Sequence, residues 1–91
     1  MNTTIDEQEA AREAGARYGT MAADLSLVHI TTAATEEDTQ EHIADLARNI
    51  REQAAQRIRE GFGEDLAAVW KDAALKAAQA RLEAYGEHEV A

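Results

Sequence analysis

Between Gly63 and Gly86 the chain runs from Glu64 to Tyr85 without a glycine, proline or serine, about six turns of strong helix former. On a helical wheel, Leu66, Ala73, Ala74, Ala77, Ala84 and Tyr85 share the face of Trp70, with Val69 at its border. Leu75, Ala78 and Leu82 widen the apolar arc, and only Asp65, Asp72, Lys76, Gln79 and Glu83 form a clean polar strip. A helix covered on one side needs an apolar stripe only about 100° wide or somewhat more. This stretch asks for cover on two sides, so the rest of the chain, or a second copy of it, has to bring apolar surface to it.

Upstream, the sequence offers two helices for that purpose. Thr4-Ile5-Asp6-Glu7 has the form of a capping box, in which the threonine caps and the glutamate reaches back. The helix it opens carries Ala11, Ala14, Tyr18, Met21, Leu25 and Val28 at heptad spacing, the pattern of a packing seam. Beside that seam, Ala11, Gly15, Gly19 and Ala23 recur every fourth residue. Two glycines inside a helix cost about 1 kcal/mol each against alanine, which points to a close backbone approach. The alternative is a break at Gly19 with Thr20 capping a new helix. Leu27 to Thr32 is rich in β-branched residues and reads as a helix end, loop or short strand.

Thr35 followed by Glu36, Glu37 and Asp38 is a strong helix start, because the hydroxyl caps and the dipole favours acids in the first turn. The second helix buries a stripe of Ile43, Leu46, Ala47, Ile50, Ala54 and Ile58, with Thr39 ahead of it and Arg51 and Arg57 alongside. Gly61-Phe62-Gly63 then allows nothing but an antiparallel hairpin. The expected fold is all-α, an elongated three-helix bundle with helices at roughly 5–30, 36–60 and 64–85, in one domain over residues 1–91 with frayed ends at 1–4 and 87–91.

Half of the apparent hydrophobicity is alanine: 21 alanines stand beside 20 larger apolar residues, Met1 and Val90 included. A core this thin makes a monomer marginal, and self-association is expected. Its candidate surface is Ala11, Gly15, Gly19 and Ala23, extended by Leu27 and Ile30. Cysteine is absent, which removes disulfides, thiol nucleophiles and cysteine metal sites. The acidic N-terminus has no signal-peptide character and no run is long and apolar enough to span a bilayer, so a cytoplasmic protein is expected.

Eighteen acidic against nine basic residues give −9. Each third of the chain carries about the same excess. Such a field repels nucleic acid and anionic membranes, so neither is an expected partner, whereas a protein with a basic surface is. Glu37, Asp38, Glu41 and Asp45 lie on one outer face of the second helix, where neighbours at i, i+3 and i+4 repel one another. That ridge is the candidate partner-binding site; its structural alternative is a well-capped helix start with a solvated face.

No motif carries catalysis. His29, His42 and His88 have no helical ligand spacing among them. Ser26 and the threonines have no evident histidine base nearby, and Gly61-x-Gly63 lacks the strand that a phosphate-binding loop requires. No catalytic residue, metal or cofactor is assigned. In size, acidity, missing cysteine and helical composition the chain resembles small phage-encoded inhibitors of bacterial defence, the anti-CRISPR and DNA-mimicking anti-restriction proteins. The resemblance covers the whole chain but rests on no motif. It implies a non-enzymatic blocker of a nucleic-acid-handling complex, working in the host cytoplasm, and assigns no residue. Two other readings stand beside it: an antitoxin-like adaptor acting through homo- or hetero-oligomeric helix packing, and a ligand binder or enzyme with a site at an oligomer interface.

Overall fold

The protein is described here by a computed structural model covering residues 5–90, the last five by backbone alone. Three helices follow one another, α1 (Ile5–Thr31), α2 (Glu36–Arg59) and α3 (Glu64–Val90), and there is no strand among the described residues. The radius of gyration is 14.5 Å and the extents are 49 × 26 × 14 Å, against about 12 Å of radius for a compact domain of this length. The bundle is therefore elongated and thin.

Its two links are short, and local chemistry sets both. Between α1 and α2, the Thr32 hydroxyl donates to the Val28 carbonyl at 2.9 Å, and Thr35 Oγ1 accepts the Asp38 N–H at 3.1 Å. Between α2 and α3, Gly61 N–H donates to the Ile58 carbonyl at 3.0 Å and Phe62 N–H to the Arg57 carbonyl at 2.8 Å. This is a Schellman motif, and it needs the left-handed residue that Gly61 provides at φ 92°. Phe62 folds back onto the core as the apolar partner of that cap.

α3 is the central element. Ala67, Trp70, Ala74 and Ala78 are buried, and Leu66, Val69, Leu75 and Leu82 pack around the core. α1 and α2 each lie against it, which meets the demand for cover on two sides. The contact with α1 is much the more extensive. Residues along it advance together, Gly15 against Trp70 and Gly19 against Ala74, so α1 and α3 run parallel with α2 antiparallel to both. Further along, Arg81 on α3 pairs with Asp24 on α1 across the half-exposed flank.

Trp70 is where the three helices meet. Its side chain is 1% exposed. The Tyr18 ring from α1 lies 5.1 Å away, centroid to centroid. From α2, the Arg57 guanidinium sits 4.0 Å over the indole face, a cation–π contact that lets a charged side chain close the core.

Several expectations resolve. α1 is continuous through Gly15 and Gly19, and residues 27–31 are helix rather than strand or loop. α3 does not stop at Gly86 but continues to Val90, because a glycine ends a helix only when it turns left-handed, and only Gly61 and Gly63 do so among the described residues. Ile58, placed on the buried stripe of α2, is 42% exposed; it stands in the last turn, where the chain is already leaving the bundle. The Thr4 cap lies outside the described residues.

Candidate functional site

The small-residue series of α1 is used within a single copy. Ala11, Gly15, Gly19, Ala23 and Leu27 are all buried, and Ile30 is half-buried at the end of the same flank. A Cβ built on Gly15 would lie 3.1 Å from Trp70 Cα, and one on Gly19 would lie 2.9 Å from Ala74 Cα. The backbones of α1 and α3 are thus too close to admit a methyl group at either glycine without a shift. A second copy could reach this stripe only by displacing α3.

The heptad seam divides. Ala11, Ala14 and Tyr18 pack on the core, but Met21, Leu25 and Val28 are 50%, 64% and 62% exposed. The two stripes stand roughly 150° apart around α1 at 3.6 residues per turn, and only one of them can face α3. Spaced by four and three residues, Met21, Leu25 and Val28 form a continuous apolar strip on the outer side of the helix.

That strip borders an open groove of about 530 Å³ between α1 and α2. Tyr18, Met21, Leu25 and His29 line it from α1, and Asp45 and Leu46 from α2. At its inner end, the Tyr18 hydroxyl donates to Asn49 Oδ1 at 2.5 Å. At its outer end, the His29 and His42 rings stack with centroids 5.4 Å apart. Spacing along the sequence gave no sign of this histidine pair, because its members come from different helices. No group of three or more candidate metal-ligating side chains occurs among the described residues.

The acidic ridge meets this groove at Asp45. Asp45 lines it directly and pairs with Arg48 on the exposed side. Glu41 and Asp38 stand one and two turns earlier on the same edge, and Glu37 is further out. Glu37, Glu41 and Asp45 are exposed, while Asp38 is half-buried by the turn its own N–H helps to cap. Asp45 thus joins the exposed apolar strip to the ridge, whose other three carboxylates lie beyond the groove lining along α2.

The charge is less even than a count by thirds suggests. Residues 20–47, the second half of α1 and the first half of α2, hold six of the 18 carboxylates and none of the nine lysines and arginines. Folding lays these two half-helices side by side at one end of the bundle. Compared with protein-family models, with curated proteins and with solved structures, the chain matches none.

Proposed function

We propose that this chain is a small, acidic, non-catalytic protein that acts by binding a partner protein through the α1–α2 face at the end of the bundle holding residues 20–47. The observation that carries the reading is that Asp45, one of the ridge carboxylates Glu37, Asp38, Glu41 and Asp45, lines the same groove as the exposed apolar side chains Met21 and Leu25. Isolated exposed apolar side chains are ordinary, but a contiguous strip with a polar rim is the anatomy of an interaction surface. A partner with a basic surface fits it. Occupying such a surface would block whatever else uses it, which is the inhibitor role that the resemblance to phage-encoded antagonists implies.

The adaptor reading draws on the same strip, with association by helix packing as the purpose and blocking incidental. Affinity capture from host cells, with the captured protein identified by mass spectrometry, separates the two. A nucleic-acid-handling complex inactivated on binding supports the blocker, and a complex that needs the chain for assembly supports the adaptor. The triple substitution Glu37→Lys, Glu41→Lys and Asp45→Lys is expected to abolish capture while helicity and Tm hold, since these side chains are solvent-exposed. Undiminished capture would remove the acidic ridge from the site.

A further inference from the structure

We infer that the α1–α2 groove takes an amphipathic, basic α-helix of the partner, laid along Met21, Leu25 and Leu46 with its lysines or arginines over the flanking carboxylates; this rests on the partner-binding reading above. Three features of the groove select that occupant.

The first is shape. From Tyr18 to His29 the α1 wall of the groove covers 11 residue steps, about 16 Å at 1.5 Å per residue, which matches three turns of a guest helix. The wall residues Tyr18, Met21, Leu25 and His29 recur at three- and four-residue spacing, the spacing that a helical guest repeats on its own apolar face. Met21 adds an unbranched, polarizable side chain of the kind that adapts to a guest surface.

The second is charge. Asp45 stands on the α2 side of the groove, and Asp24 shares the outer surface of α1 with Met21 and Leu25. Their cationic partners, Arg48 and Arg81, reach them from outside residues 20–47. A guest helix lying between the two aspartates meets no lysine or arginine from residues 20–47, and Arg17 stands one turn before Met21 on the same outer surface of α1.

The third is what charge excludes. A second copy brought to the same groove would set residues 20–47, with six carboxylates and no lysine or arginine, against the same segment, like charges whose juxtaposition suppresses association. Helix-in-groove recognition by a cationic guest is the arrangement that satisfies the apolar strip and this charge together.

The test uses a fluorescein-labelled 14-residue helical peptide with leucines at i, i+3, i+4, i+7 and lysines on their flanks, titrated with the full chain and read by anisotropy. A twin with glutamate at every lysine position controls for charge. The lysine peptide is expected to bind and the glutamate twin not. Leu25→Glu is the decisive variant, because it adds negative charge while removing apolar contact. If the apolar strip seats the guest, this variant binds about tenfold or more weakly, the loss of one buried leucine. If attraction is purely electrostatic, it binds as well or better, which overturns the inference. Asp45→Asn should weaken binding a few-fold and lower its salt sensitivity, whereas Glu64→Gln with Asp65→Gln, at the far end of the bundle, should change little. Equal effects at both ends also overturn the inference. So does light scattering that finds a dimer abolished by Leu25→Glu, which would place a second copy in the groove.

The same variants separate the inference from the reading beneath it. Capture of the identified cellular partner that survives Leu25→Glu but is lost with the triple lysine variant removes the groove and keeps the acidic face. Capture indifferent to both removes both.

Discussion

Helix α1 carries two stripes of opposite character. Along Ala11, Gly15, Gly19 and Ala23 the side chains are minimal and the neighbouring helix comes down to backbone distance. Along Met21, Leu25 and Val28 the side chains are large and half or more exposed. In most amphipathic helices the large residues are buried and the small ones tolerated. Here the order is reversed, because α3 is itself lined with alanine. Two surfaces without protruding side chains can close to backbone distance over a long run. A protruding leucine in the same seam would force the helices apart and forfeit the dispersion contacts of the whole length. The seam excludes size, and the large residues go to the face where size has a use.

That contrast is sharpest at Trp70, the largest side chain buried at the centre of the bundle. The Gly15 and Gly19 positions leave α3 room to come close, while Tyr18 and Arg57 enclose the indole from two helices. Trp70→Ala is expected to have the largest effect of any single truncation, about 3–5 kcal/mol, measured by urea denaturation followed by circular dichroism. It should loosen both faces of α1 at once, so peptide binding in the groove falls together with stability. Loss of stability with groove binding intact would show that the two stripes are independent and that Trp70 serves only the seam.

Next in size is Gly19→Ala. A methyl group there meets the Ala74 carbonyl and lies within 2.9 Å of Ala74 Cα, backbone that cannot swing aside as a side chain would. Helix propensity would gain about 1 kcal/mol, but overpacking costs roughly 1–3 kcal/mol and more where backbone must shift. Net destabilisation is the expected outcome, read as a lower denaturation midpoint. A stabilised variant would mean that α1 and α3 can separate at little cost. Because Gly19 is enclosed within one copy, the substitution should appear as lost stability and not as a change in solution mass. A mass change with stability kept would return the small-residue stripe to self-association.

The architecture was open to reading because each helix announces itself locally. Thr35 before three acids and Gly61-Phe62-Gly63 fix the links through short-range hydrogen bonds, and the two-sided apolar arc around Trp70 requires two neighbours. The choice of which α1 stripe faces α3 was less accessible. Both stripes have helical periodicity, and the decision depends on the width of the gap between backbones, a property of the pair of helices together. The signal lay in residue size, since glycines four apart fit a neighbouring helix only at close range, as Gly15 does against the Trp70 backbone and Gly19 against that of Ala74. The end of α3 was misplaced for a related reason. Gly86 has the composition of a terminator, but the left-handed turn that makes Gly61 one is absent. Likewise, the pairing of His29 with His42, and the meeting of Met21 and Leu25 with Asp45 in one groove, required two segments brought together by a turn at residues 32–35.

The smallest expected change in stability is at Leu25. Its side chain is 64% exposed, so Leu25→Glu removes little buried area and should move ΔG of unfolding by no more than about 0.5 kcal/mol. Gly19→Ala and Leu25→Glu lie six residues apart on one helix, and the comparison predicts that their consequences invert. The first lowers stability, and any loss of groove binding should track the unfolded fraction. The second leaves stability near the wild-type value and lowers binding of the cationic helix about tenfold at full occupancy of the folded state. Measuring both variants by the same denaturation curve and the same anisotropy titration tests the division directly. If Leu25→Glu proves strongly destabilising, Leu25 is covered within the bundle. The apolar strip is then part of the core and not a surface held open for a partner.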